Sequence, residues 1–249
     1  MVDLRKASLV KRIGALLVDL VFFALLVYGG LNLFGRAVNY STYTKQMDDI
    51  MTKYGQEYDV DFDISAEEFQ ELSDEELEKY NAASEAINND EAAMEVYNTR
   101  IQLELMMASS SLLLAYTVLE ILLPLIMKNG QTIGKKMFSL CLMHKDGYRV
   151  GALQVCFRAL LGKYLIETMV PVMIYALKRY GKLGTTGSLL MGLLVMVQTF
   201  ILIYSRANCA IHDKLCKTVV VDQNEQVIFE TREDWIAYEE QCEAENAEA

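Results

Sequence analysis

The sequence lacks a disulfide framework, a complete metal motif and a catalytic constellation, and each absence removes a class of function. Its five cysteines (Cys141, Cys156, Cys209, Cys216, Cys242) are an odd number, and none lies in the acidic stretch between the first two apolar runs. No pattern of bridges in a secreted domain is implied. Cys209, His212 and Cys216 fall at helical spacing but lack a fourth ligand; ordinary buried residues are expected, because zinc sites usually show four. Asp59-Val-Asp61-Phe-Asp63 starts like an EF-hand loop, with neither the glycine at the sixth position nor the glutamate at the twelfth. A solvated acidic face is expected there, with weak Ca²⁺ binding as the alternative. There is no nucleophile and base with a third orienting group, and no phosphate loop beyond Gly130 to Lys135. No enzymatic activity and no cofactor are expected, and a net charge of −11 offers nothing to a nucleic acid.

What is present is apolar residue in long runs. The chain is 53% apolar with a mean hydropathy of +0.17 despite its acidity, so the two kinds of residue are segregated. Apolar runs begin at Ile13, Met106, Tyr164 and Gly187, while most acid lies between Met47 and Glu104 or after Glu225. The spacing predicts transmembrane helices over 13–34, 106–127, about 160–177 and about 187–205, each near the length that crosses a core of about 30 Å. The first follows Arg5, Lys6, Lys11 and Arg12, outlasts a signal h-region and has no small-x-small cleavage site after it, so it reads as an uncleaved anchor. The expected fold is all-α and polytopic, with about four spans, short cytoplasmic β-hairpins and an acidic helical insertion outside the cell membrane. The segments are 1–34, 35–105, 106–205 with a cytoplasmic loop over 128–158, and 206–249.

Basic residues in short loops stay on the cytoplasmic side. Lys128, Lys135, Lys136, Lys145 and Arg149 follow the second run, with Arg158 beyond them, so both termini are expected inside and the acidic insertion outside. Lys178, Arg179 and Lys182, between runs three and four, go against this rule; a re-entrant pair is the alternative to two spans. In the insertion, Ser65-Ala-Glu-Glu68 and Ser73-Asp-Glu-Glu76 have the form of capping boxes. Ile87, Met94, Ile101 and Leu105 recur at helical spacing, so a helix is expected to run on into the second span. Residues 138–150, centred on Asp146-Gly147, predict one β-hairpin, and 218–221 with 226–229 a second. Residues 239–249 have no apolar face and are expected to be frayed or disordered.

Several segments together resemble the RDD family of bacterial membrane proteins, named for one arginine and two aspartates. Arg12-Ile-Gly-Ala-Leu-Leu-Val-Asp19 matches its first arginine and aspartate. Gly130-Gln-Thr-Ile-Gly134-Lys135-Lys136, the Asp146-Gly147 turn and Arg158-Ala-Leu-Leu161 match its middle segments, and Asp213-Lys-Leu-Cys-Lys-Thr218-Val-Val-Val221 its last. Where a small pair such as Ala-Gly is usual before the threonine, this chain has Cys216-Lys217, which leaves the backbone turn there open. The resemblance does not cover the acidic insertion. It implies fold more than function, though some members are linked to Na⁺/H⁺ exchange.

Ionisable residues inside spans are costly and mark functional sites by default. At 1.5 Å per residue, Asp19, Glu120, Glu167 and the polar Gln198 all lie roughly 5 to 10 Å from the inner ends of their helices. Arg12 is expected to reach headgroups, and Arg158 or Lys163 to partner Asp19, with Arg206 and Asp213 completing the cluster. Lys135 and Lys136 are expected to set topology or touch anionic lipid. A structural layer of buried pairs is the plainer expectation. The sharper one is a proton or Na⁺ site, with Asp19 carrying the ion and Pro171 allowing movement, because close carboxylates cannot all stay ionised. The further alternative is a scaffold or accessory subunit that holds a membrane protein or a second copy of the chain.

Overall fold

Among the described residues, four helices are long and apolar enough to cross a membrane: α1 (Leu9–Ala37), α5 (Glu91–Ile126), α7 (Ala152–Arg179) and α8 (Gly184–Tyr204). The computed structural model describes residues 7–127, 130–181, 184–204 and 209–248. Large apolar side chains on these helices stand open, Leu16 by 64%, Leu189 by 74% and Met196 by 71%. Water would not tolerate such surfaces and lipid does. The chain is therefore an all-α integral membrane protein, as its hydropathy pattern predicted.

The chain folds as two units. Tyr28–Ser111 forms one, and the described residues on either side form the other. In the first, α2 (Tyr40–Tyr58), α3 (Ala66–Gln70) and α4 (Asp74–Asn89) precede the long α5. Both capping boxes form: the Ser65 and Ser73 hydroxyls accept from the backbone of Glu68 and Glu76, whose carboxylates accept from the serine backbones in return. Tyr54, Ile87 and Ala93 make a small core with Met51 and Phe62 around them. Asp90 ties it together, accepting from the Tyr54 hydroxyl at 2.8 Å and from the Ala92 and Ala93 backbone at 2.9 and 3.2 Å. That cap starts α5, which runs on into the second span as its periodicity predicted. No metal-binding group of side chains exists among the described residues, at Asp59 to Asp63 or at Cys209.

In the second unit one construction occurs twice. A five-residue helix, α6 (Ile133–Met137), leads through Ser139 at φ 54° into β1 (Leu140–His144). Another, α9 (Ile211–Leu215), leads through Lys217 at φ 52° into β2 (Thr218–Asp222). β1 and β2 pair antiparallel, from Leu140 opposite Asp222 to His144 opposite Thr218. Two spans precede each copy, so the halves are alike in element order.

The first expected hairpin forms at its tip, where Met143 bridges Arg149 antiparallel and the His144 N–H donates to the Tyr148 carbonyl, but 140–144 pairs along its length with 218–222, and the second expected hairpin does not form. The 145–148 turn closes, with the Gly147 N–H on the His144 carbonyl, but both strands are buried on both faces. Leu140, Leu142 and Val220 cover Ala7 and Ala15 of the first-span region, while Cys141, Met143, Val219 and Val221 cover Cys209. A local hairpin would bury one face only. Phe229 bonds to Gly147 and Arg149 instead of forming a second strand with 218–221. The start of α1 grips β2, with Lys11 on the Asp222 carboxylate and the Arg12 guanidinium on the Val220 carbonyl. Arg12 therefore holds the sheet, a correction to the expected headgroup contact. The acidic C-terminal segment, expected to be disordered, is helical in α10 (Arg232–Glu248). Its start is capped by Thr231 and Asp234, whose hydroxyl and carboxylate bond reciprocally to each other's backbone N–H.

Lys217 occupies a left-handed position that costs a residue with a Cβ about 1 kcal/mol or more. A glycine, which the family resemblance implies at this place, would adopt the turn without that cost. Lys217→Gly is expected to raise the melting temperature by about 2 to 4 °C, read by circular dichroism of the detergent-solubilised protein. An unchanged or lower value would show that the turn carries no strain.

Candidate functional site

Two stretches of the spans are wound with i→i+5 bonds, Thr117–Leu122 in α5 and Arg158–Met169 in α7. The chain's two prolines, Pro124 and Pro171, stand two residues beyond these stretches. A proline ring offers no N–H and crowds the preceding turn, and local widening is one way a membrane helix re-satisfies its backbone. The widening has a chemical consequence. At 3.6 residues per turn, Arg158 and Glu167 would stand on opposite faces of α7. The wider winding takes nearly one more residue per turn, so nine residues make about two turns and both side chains share a face.

On that face Arg158 is the centre. Its Nε donates to Asp213 Oδ1 at 2.9 Å and its Nη1 to Glu120 Oε2 at 3.3 Å. Lys163 also pairs with Glu120, and the Lys135 ammonium lies 3.9 Å from it. Glu167 accepts from the His212 backbone at 3.1 Å, and each of its oxygens is 2.8 Å from the ring Nδ1. The opposite ring nitrogen lies 3.5 Å from Asp213 Oδ2, and the Thr218 hydroxyl donates to Asp213 Oδ1 at 3.0 Å. Six of the groups, Glu120, Lys135, Arg158, His212, Asp213 and Thr218, are buried.

Asp19 stands elsewhere, a second correction. Arg158 and Lys163, its expected partners, are taken by Glu120 and Asp213. Asp19 instead caps α6, accepting from the Thr132 hydroxyl at 2.5 Å and the Gly134 N–H at 2.8 Å. A side chain at Gly134 would run into the Ala15 carbonyl and Asp19 itself, which explains the glycine in that segment. Glu167 serves α9 in the same way, and there Gly162 is the residue whose Cβ would run into His212. Each span that opens a half thus sends one carboxylate to the start of one short helix, where N–H groups and the helix dipole favour it.

Lys135 is third in α6 and Asp213 third in α9; Glu120 and Gln198 precede these helices by equal lengths. Gln198 has no hydrogen bond to the cluster among the described residues, so the expected fourth polar group does not join. Arg206 lies outside the described residues. Lys135 was expected to set topology or touch anionic lipid, yet only 8% of it is exposed and its ammonium has no hydrogen-bond partner. Burial pushes that ammonium down to about 8, against the pull of Glu120. Burial alone would raise the Asp213 carboxyl, but Arg158 and then His212 hold it well below the usual carboxylate range. Burial, then the Arg158 charge, lowers the His212 imidazole.

The fold and this cluster define a multi-pass membrane protein with a buried charged junction between its spans and a small two-stranded cap. The chain belongs to the RDD family, whose family model matches residues 6–217. No curated protein and no solved structure matches it.

Proposed function

We propose that the chain is a membrane scaffold or accessory subunit, and that its charged junction is a fixed joint between the spans and the β1–β2 cap. The observation that carries this reading is the pairing of the acids. Glu120 has Lys163 and Arg158, Asp213 has Arg158, Glu167 has His212, and Asp19 has a hydroxyl and a backbone N–H. The premise that crowded carboxylates must share a proton loses its force when each has its own partner. Beyond the joint, the chain presents the acidic unit with a core of its own, long for a simple connector. Deleting 65–89 should leave the protein inserted and abolish recovery of a partner from native membranes. If those membranes yield only the chain itself, with or without the deletion, the scaffold reading falls.

Proton-coupled Na⁺ exchange is the second reading, favoured by His212 between two carboxylates and by the buried, unbonded Lys135 ammonium. Wild type and His212→Gln, which removes the titrating ring between Glu167 and Asp213, compared in liposomes with an internal pH dye, distinguish the two readings. Sodium-driven proton movement that the substitution abolishes, with insertion unchanged, would establish exchange. A silent wild type leaves the scaffold.

A further inference from the structure

Between α7 and α8 lies a groove of about 400 Å³, lined by Ile174, Tyr175, Lys178, Gly187, Met191 and Gly192 among others. Ile174, Tyr175 and Lys178 follow at three- and four-residue spacing and share one face of α7, while Gly187, Ser188, Met191 and Gly192 do the same on α8. Small residues on spanning helices usually let two backbones approach closely. Here Gly192 does not serve that end, since nothing lies within 4 Å of the place its Cβ would take. The glycine leaves room instead, on a lining that is apolar apart from Ser188 and Lys178 and the tyrosine hydroxyl. Lys178 is exposed at the last turn of α7 and has no carboxylate partner among the described residues. The groove joins an apolar slot to one unpaired cation near a helix end.

We propose that this groove is a binding site for an anionic glycerophospholipid, its acyl chain along Gly187 to Gly192 and its phosphate on Lys178. A zwitterionic lipid could fill the same slot, but it would bring a cationic group to the ammonium along with its phosphate. The proposal also accounts for Lys178 on the side of the membrane where the charge rule places few basic residues. A lysine facing a lipid phosphate there is a ligand and not a topology signal.

The test is native mass spectrometry of the full chain, reconstituted in nanodiscs with equal phosphatidylglycerol and phosphatidylcholine and released into detergent. The wild type should retain the anionic lipid about fivefold over the zwitterionic one, the factor that one lysine near anionic lipid supplies. Lys178→Gln should bring the two lipids to parity with total lipid unchanged, because the slot remains. Gly192→Leu, which fills the slot, should lose both. Equal retention by the wild type, or a preference that survives Lys178→Gln, would overturn the proposal. Monodispersity of each variant on gel filtration excludes misfolding as the cause.

Discussion

Arg158→Met is expected to be the most damaging single substitution in the chain. The guanidinium is shared by Asp213 and Glu120 and is 3% exposed. Methionine keeps much of the volume and removes the charge, leaving Asp213 buried with only the His212 ring and the Thr218 hydroxyl. Breaking a buried ion pair from one side costs about 3 to 5 kcal/mol, most of it the isolated charge left behind. For a chain of this size that is a fall in melting temperature on the order of 10 °C. The buried thiols of Cys141 and Cys209 supply the readout. Burial, then the Asp222 charge, pushes Cys141 up to about 11, so once the half-buried thiols of Cys156, Cys216 and Cys242 have been blocked a thiol-reactive dye stays dark until the sheet opens. Arg158→Met with Asp213→Asn should recover part of the loss, because the double variant no longer buries a lone carboxylate. If the double variant were as unstable as the two losses added, the pairing would not be the cause.

Lys135 should behave in the opposite sense. Its buried ammonium sits at about 8 in the folded protein against 10.5 when free. Below pH 8 both folded and unfolded chains carry the proton, and the folded state bears the full cost of burial. Between pH 8 and 10.5 the unfolded chain binds more protons, so stability rises with pH through that window. The gap corresponds to roughly 3 kcal/mol. Lys135→Met removes it, since Glu120 retains Lys163 and Arg158. The variant should melt higher than wild type at pH 7, by about 5 °C or more, and the difference should close as pH rises from 8 to 10. Circular dichroism melts of both proteins across that range check this. A variant that melts lower at pH 7 would make the Lys135 charge a stabilising partner of Glu120.

The two short helices and the paired strands also explain which sequence signals misled. Asp146-Gly147 is a sound turn signal and a turn forms there, but turn chemistry is local and cannot name the strand across from 140–144. That partner, 218–222, is supplied by the second half of the chain. Continuous apolar residue in both strands was the better clue, because strands buried on both faces lose the alternation of a surface hairpin. The disordered tail was misjudged from polarity alone; 232–248 forms a helix with a Thr231 cap, visible in the sequence as Thr-x-x-Asp.

Amino-acid order by itself determined the four spans, the capped helices of the acidic unit and the family motifs, since each rests on local periodicity or on neighbours within one helical turn. It also identified Asp19, Glu120 and Glu167 as residues to watch, because charge in an apolar run stands out, and Arg12, Arg158 and Asp213, which lie in the family segments. Only the tertiary structure decided how they pair. A depth estimate at 1.5 Å per residue places groups at a level but assumes one uniform winding. The wide turns before Pro124 and Pro171 break that assumption and rotate Arg158, Lys163 and Glu167 onto one face. Asp19 went to a backbone N–H and a hydroxyl rather than to a cation for a related reason. The start of α6 exists only once Gly134 can lie against Ala15, and no spacing along the chain records that approach.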